Sequence, residues 1–481
     1  MFFCPRKLQL KIAIGLSFVF LFSVSVLAQK NKTPVKTAPL VKKTAAKKNT
    51  RAEAERLAAA KRVEDERRRN ALETQRRRDQ AAREARARRV SFERGLRNTT
   101  VDNISADLTD GEDLEVRRAA VEALGDRAGT VVVLEPQTGR VLTIVNQEWA
   151  IRQSFKPCSV IKLVTSVAGL NEDLINSNGA FTGGNLGIAL DDALAYSNNA
   201  YFQRVGVNLG SGKMIDYARI LGLGAPTGLN AAGESAGRLP FGNNNARIYS
   251  HGDDFAVTPL QLAVLVSALS NGGRVVIPQI PRPGYQRTAF RGLYRRQIDL
   301  PKSTLEHVLP GMIGAATYGT ARNGVDAALG IAGKTGSCIG QGSWLGLFAS
   351  VAPVRDPKFA VVVITRGQSE RGKYAAAVAG RIYESLRGRL FRKGSKTPMA
   401  RVPVELRPQP RIDAKTSIKL DDARTEDSDD DTGTVRVGKK GAQDQIETPK
   451  QNPKKQEPLF PTIVITPKSD EITRPRVVKP R

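Results

Sequence analysis

The strand-like runs of this chain fall at the two ends of one stretch, and that placement constrains the fold more than any other feature. Two β-branched runs lie early, TVVVLEP at 130–136 and RVLTIVN at 140–146. The turn residues Gln137-Thr138-Gly139 join them, which reads as a hairpin. Three more runs lie late: a segment through 333–337, WLGLFASVAP at 344–353 and FAVVVITRG at 359–367. Between the two groups, up to about Ala328, the pattern is mixed and mostly helical. A closing helix is predicted over 373–390, with Val378, Ile382 and Leu386 on one face. Strands drawn from both ends predict a single antiparallel sheet, with the helical middle packed beside it. The predicted class is therefore α+β: an antiparallel sheet flanked by helices plus an all-helical lobe, with disordered or extended termini.

The remaining segments differ in composition. Arg6, Lys7 and Lys11 precede an apolar run at 12–28 that ends in Val26-Leu27-Ala28. Residues 1–28 read as a secretory signal peptide, or alternatively as an uncleaved membrane anchor. Either exports the rest of the chain, so the formal net charge of +28 points to anionic lipid or a wall polymer rather than to nucleic acid. Residues 29–50, rich in Lys, Thr, Ala and Pro, are predicted to be a disordered linker. Residues 51–100 are predicted to form a basic, highly charged helix with Glu–Arg pairs at helical spacing. Its apolar positions (Leu57, Val63, Leu72) are too sparse for a coiled-coil seam, leaving a solvated helix or an electrostatic tether. LEVRRAAVEALG at 114–125 is an amphipathic helix without a second copy, which does not support a solenoid. The catalytic domain is placed at 110–392 and a disordered polar tail at 393–481. Three cysteines and two histidines are too few for a Cys/His metal site.

Three short motifs within the domain carry chemistry. In Ser159-Val160-Ile161-Lys162, residues i and i+3 share a helix face, so a neutral Lys162 amine could take the Ser159 proton. Ser-x-x-Lys alone arises by chance on many surfaces. Ser197-Asn198-Asn199 alone is an ordinary polar loop or helix cap. In Lys334-Thr335-Gly336-Ser337, Gly336 lets another backbone approach closely, as a substrate-binding edge strand requires; alone the motif is only a glycine-marked strand.

Together, and in this order, the three motifs resemble the transpeptidase domain of penicillin-binding proteins and the related β-lactamases. Further stretches agree: Gly233-Glu234-Ser235-Ala236-Gly237 with Leu239-Pro240, Thr258-Pro259-Leu260-Gln261-Leu262-Ala263 with Ser270-Asn271-Gly272-Gly273, and Gly319-Thr320-Ala321. The likeness covers about 128–390 and favours the class B-like enzymes, here expected without a pedestal or glycosyltransferase domain. It implies that Ser159 is the nucleophile acylated by D-Ala-D-Ala stem peptides of peptidoglycan. Lys162 is then the base, its pKa lowered by desolvation and neighbouring positive charge. By the same likeness Ser197 relays a proton, Asn199 holds the substrate amide and Lys334 supplies positive potential. Thr335 offers a hydroxyl to the terminal carboxylate, and the amides of Ser159 and Ser337 form the oxyanion hole. No cofactor is implied. The implied partners are stem peptides, β-lactams as inhibitors, and division or elongation proteins. An amine acceptor makes the protein a D,D-transpeptidase, and water a D,D-carboxypeptidase or β-lactamase-like hydrolase. A wall-binding or division scaffold without turnover is a further alternative. The chain departs from the family at Cys158, where glycine is usual. Because the family's fold lays the nucleophile helix start against the Lys-Thr-Gly strand, Cys158 and Cys338 would flank one cleft, and an oxidising compartment would allow a disulfide between them. His251, in YSHGDD, is read as a loop residue rather than a catalyst.

Overall fold

The computed structural model of the chain describes residues 43–242, 245–282, 284–391 and 406–408. The apolar segment at 1–28 and almost all of the tail at 393–481 lie outside the described residues. No described helix is long and apolar enough to cross a membrane.

A five-stranded antiparallel sheet has the order β2-β1-β7-β6-β5. The early hairpin is β1 (Ala128–Leu134) and β2 (Val141–Val145); the late strands are β5 (Ala332–Gly340), β6 (Ser343–Ala352) and β7 (Phe359–Gly367). β1 pairs with β7 through Val132↔Val362, so the two ends of the domain meet at the centre of the sheet. A separate ribbon, β3 (Arg274–Ile277) with β4 (Leu293–Gln297), lies within the mostly helical middle.

Side chains alternate across the sheet, and each face is buried. Val131 and Val133 of β1, with Val361 and Val363 of β7, pack against α2 (Leu114–Leu124) and the closing helix Gly372–Ser385. Val132 and Leu134, with Val362 and Ile364, enter the other core. There they meet α7 (Pro259–Ser270), whose PLQLAVLVSALS sequence is apolar nearly all round, the pattern of a fully buried helix. The remaining lobe comprises α3 (Lys162–Asn171), α4 (Leu190–Ala195), α5 (Asn199–Leu209), α6 (Ser211–Ile220) and the helix Leu309–Thr317. It abuts β5, the edge strand, and this junction positions the site.

The N-terminal helix α1 (Lys43–Ser105) is longer than the one expected over 51–100. Residues 43–50 are helical, contrary to the linker expected over 29–50, because Ala and Lys dominate KTAAKKNT and favour the helix. The far end of α1 belongs to the folded unit, which therefore begins before residue 110. There Asp107 accepts N–H bonds from Asn146 and Gln147, and Arg117 bridges Asp107 and Glu112 at 2.9 Å each. At the other terminus Leu406 packs on the main core, so this part of the predicted polar tail is anchored by an apolar side chain.

Candidate active site

Ser159 lies in a 3-10 turn, Cys158–Ile161, that leads directly into α3. In a 3-10 turn residues i and i+3 eclipse, so Lys162 stacks on Ser159 more directly than α-helical spacing alone requires. Lys162 is fully buried, and its Nζ lies 2.9 Å from Ser159 Oγ, 2.9 Å from Ser197 Oγ, 2.7 Å from Ser197 O and 2.7 Å from Asn199 Oδ1. Lys334, equally buried on β5, places its Nζ 2.9 Å from the same Ser197 Oγ. Two lysines thus share one hydroxyl, and complete burial beside a second ammonium disfavours charge on both at once.

Backbone geometry holds the serines. Ser197 sits at φ 58°, a left-handed turn between α4 and α5, and Asn198 caps α5 by accepting from the Tyr201 N–H. Cys158, immediately before Ser159, has φ 48°. The usual family glycine tolerates this region freely, whereas a residue with a Cβ adopts it at a cost. Cys158 is bonded to Cys338 of β5, with Cα atoms 5.7 Å apart.

On β5, Lys334, Gly336 and Cys338 alternate with Thr335 and Ser337. A side chain at Gly336 would meet Cys158 Cβ and Pro157 O, each at 3.2 Å. The close approach at Gly336 is made by the turn that carries Ser159. Thr335 is fully buried and its hydroxyl lies 2.7 Å from that of Thr320. The Gly372 N–H donates to Ser337 Oγ at 2.8 Å. Thr335 thus faces Thr320 and the start of the closing helix, a packing that its place in the motif does not disclose. Gly372 is a site neighbour missed in the sequence. Its signal is a glycine opening a helix directly after a core strand, where a Cβ would lie 2.8 Å from that of Thr335.

A model of the penicillin binding protein transpeptidase domain matches residues 129–384, just over half of the 481 residues. The chain belongs to this family.

Among curated relatives, peptidoglycan D,D-transpeptidase MrdA of Haemophilus influenzae is 24% identical, over 56% of this chain and 55% of its own. Stage V sporulation protein D of Bacillus subtilis is also 24% identical, over 50% and 42%. The chain spans about half the length of the curated relatives it matches. A crystal structure of Pseudomonas aeruginosa PBP2 in complex with WCK 5153 shares the fold, with a TM-score of 0.51 and 22% identity, over 60% of this chain and 78% of that one.

Several family stretches outside the three motifs prove to be scaffolding. Thr258 caps α7 and forms a capping box with Gln261. The Gln261 amide also donates to Ala225 O and Ala236 O, tying the Gly233–Gly237 stretch to the helix. Glu234 accepts N–H bonds from Thr227, Gly228 and Leu229. Asn271 donates to Pro136 O and closes the hairpin turn against α7. His251 is buried, with Nδ1 2.7 Å from Ser250 Oγ. A Cβ on its neighbour Gly252 would meet Pro157 at 2.6 Å, so this loop backs the turn that carries Ser159. Asp253 pairs with Lys156. Burial pushes its carboxyl up, but Lys156 and Arg247 outweigh that and hold it below the usual carboxylate range.

Proposed function

We propose that this chain is a serine D,D-transpeptidase that acts outside the cytoplasmic membrane on D-Ala-D-Ala stem peptides of peptidoglycan. The observation that carries the reading is the buried chain Ser159–Lys162–Ser197–Lys334, with each adjoining contact at 2.9 Å. In the proposed reaction Ser159 Oγ attacks the carbonyl carbon of the penultimate D-Ala, and its proton passes to the neutral Lys162 amine. Lys334 favours the neutral form of Lys162 and orients Ser197. Collapse of the tetrahedral adduct breaks the peptide C–N bond. The departing D-Ala nitrogen takes its proton from Lys162 through the Ser197 hydroxyl, leaving an ester on Ser159. The amine of a second stem peptide then attacks the ester, and the same groups return the proton. Asn199, whose Oδ1 lies 2.7 Å from Lys162 Nζ, is assigned to the substrate amide. Backbone amides at Ser159 and Ser337 are assigned to the oxyanion, where each donor contributes about 3 kcal/mol in the transition state. β-Lactams enter as analogues acylating the same serine. The exposed basic α1 is assigned to an anionic lipid or wall-polymer surface.

The test is incubation with a stem pentapeptide, with and without an amine acceptor. The expected products are free D-Ala and cross-linked dimer, neither formed by Ser159→Ala. D-Ala release without dimer at any acceptor concentration would replace transpeptidation with carboxypeptidation. No release, and no acylation by a fluorescent penicillin, would leave only a non-catalytic scaffold.

A further inference from the structure

The nucleophile turn and the Lys334 strand are separate walls of the site, 180 residues apart in sequence at Cys158 and Cys338, and a covalent bond joins them. We propose that the Cys158–Cys338 disulfide is a positioning element for acylation: it holds the nucleophile turn in a left-handed backbone state and at a fixed distance from β5, so that Ser159 reacts fast only while the bond is intact. This rests on the acyl-transfer reading of the site.

Three observations carry the inference. Cys158, directly before the nucleophile, has φ 48°, a conformation a residue with a side chain leaves when nothing holds it there. Its partner follows Lys334-Thr335-Gly336-Ser337 on the same strand, so the bond fixes the spacing between Ser159 and the Lys334 ammonium. The contact beside the bond is already tight, with Gly336 leaving only 3.2 Å between a notional Cβ and either Cys158 Cβ or Pro157 O. A hydrogen bond also joins the two segments, from the Gln341 amide to Ser154 O at 3.0 Å, but it lies at the exposed turn beyond β5. A glycine before the nucleophile, as is usual in this family, needs no such restraint because it takes φ above zero freely. The disulfide therefore replaces a backbone preference with a covalent one, and makes reactivity depend on oxidation state. Reduction by a dithiol breaks the S–S bond, delivers two electrons and two protons to the two sulfurs, and leaves the dithiol as its cyclic disulfide.

The test uses the full chain and a fluorescent penicillin over a concentration series, which separates the acylation rate constant from the affinity of the initial complex. Samples are the oxidised protein, the protein reduced with dithiothreitol, Cys338→Ser, and two double variants. These carry Cys338→Ser with either Cys158→Ser or Cys158→Gly. Thiol titration after denaturation verifies each state, and melting temperature verifies folding. The expected result is an acylation rate constant about tenfold or more lower in the reduced protein, in Cys338→Ser and in the Ser/Ser variant, with little change in affinity. The Gly/Ser variant is expected to recover most of that loss. A purely structural disulfide gives no such recovery. Equal acylation by oxidised and reduced protein, or equal rates for the Ser/Ser and Gly/Ser variants, overturns the proposal while leaving acyl transfer intact. Absence of acylation in the oxidised protein removes the acyl-transfer reading and this proposal with it.

Discussion

Lys162 makes the most demanding claim at the scale of single residues. It is fully buried, hydrogen-bonded to Ser159, Ser197 and Asn199, and shares the Ser197 hydroxyl with Lys334; in the proposed reaction burial and that neighbouring cation favour its neutral form. Lys162→Met keeps the volume and removes the base. Its acylation rate is expected to fall by about 10²–10⁴-fold, with the melting temperature near or above that of the parent. Stopped-flow measurement of penicillin acylation checks this. A loss below tenfold would assign the proton to another group. The Ser159–Lys162 relation was legible because periodicity alone puts i and i+3 on one face. Less was legible at Ser197 and Thr335. The left-handed backbone of Ser197 and the pairing of Thr335 with Thr320, 15 residues away, arise from tertiary packing, which local pattern does not encode. Cys158 and Cys338 drew notice only because each adjoins a motif.

At the scale of elements, α7 packs on the sheet, and Val257 just before its cap bridges to Phe155, ahead of the Ser159 turn. Its capping box and the Gln261 amide bonds hold the loop around Glu234. Gln261→Ala removes the reciprocal cap and leaves the partly buried carbonyls of Ala225 and Ala236 without that donor. It is expected to cost about 1–3 kcal/mol in stability, read from denaturant unfolding. Thr258→Ala is expected to cost about 1 kcal/mol. No change in either variant would contradict the scaffolding role given to this stretch. Sheet strands were legible because β-branched runs of core length have few other uses, and the closing helix because Val378, Ile382 and Leu386 recur at its period. The β3–β4 ribbon was not. Every residue of LYRRQ in β4 is exposed, so no alternation between core and solvent marks it. The start of α1 was misplaced for a related reason, since a charged helix without a packed face has no apolar period to show where it begins.

At the scale of the molecule, two features decide how the folded unit is bounded. The first is the Asp107–Glu112–Arg117 cluster, which closes the N-terminal segment over the hairpin. Burial pushes both carboxyls above their ordinary range, while burial of the Arg117 guanidinium is more than offset by its acidic partners, which hold its proton more tightly. Arg117→Met leaves two carboxyls buried without their cation and is expected to lower stability by about 3–5 kcal/mol at neutral pH. Because protonation neutralises those carboxyls, the deficit is expected to shrink as pH falls into the carboxylate range; a deficit independent of pH would contradict this account. The second feature is α1, exposed along its length from Thr50 to Phe92 and in contact with the sheet only near its end. Removing residues 1–90 is expected to leave the melting temperature and the penicillin acylation rate unchanged, while weakening sedimentation with anionic vesicles or wall polymer. A fall in acylation rate would give α1 a role inside the catalytic unit.

In the proposed reaction, hydroxyl, amine and strand edge converge so that Ser159 alone becomes acylated. Intact-mass and peptide-mapping mass spectrometry of the protein after exposure to benzylpenicillin tests it most directly. The expected result is a single long-lived adduct on the peptide bearing Ser159, absent in Ser159→Ala. An adduct on any other residue, or none in the oxidised, folded protein, would contradict it.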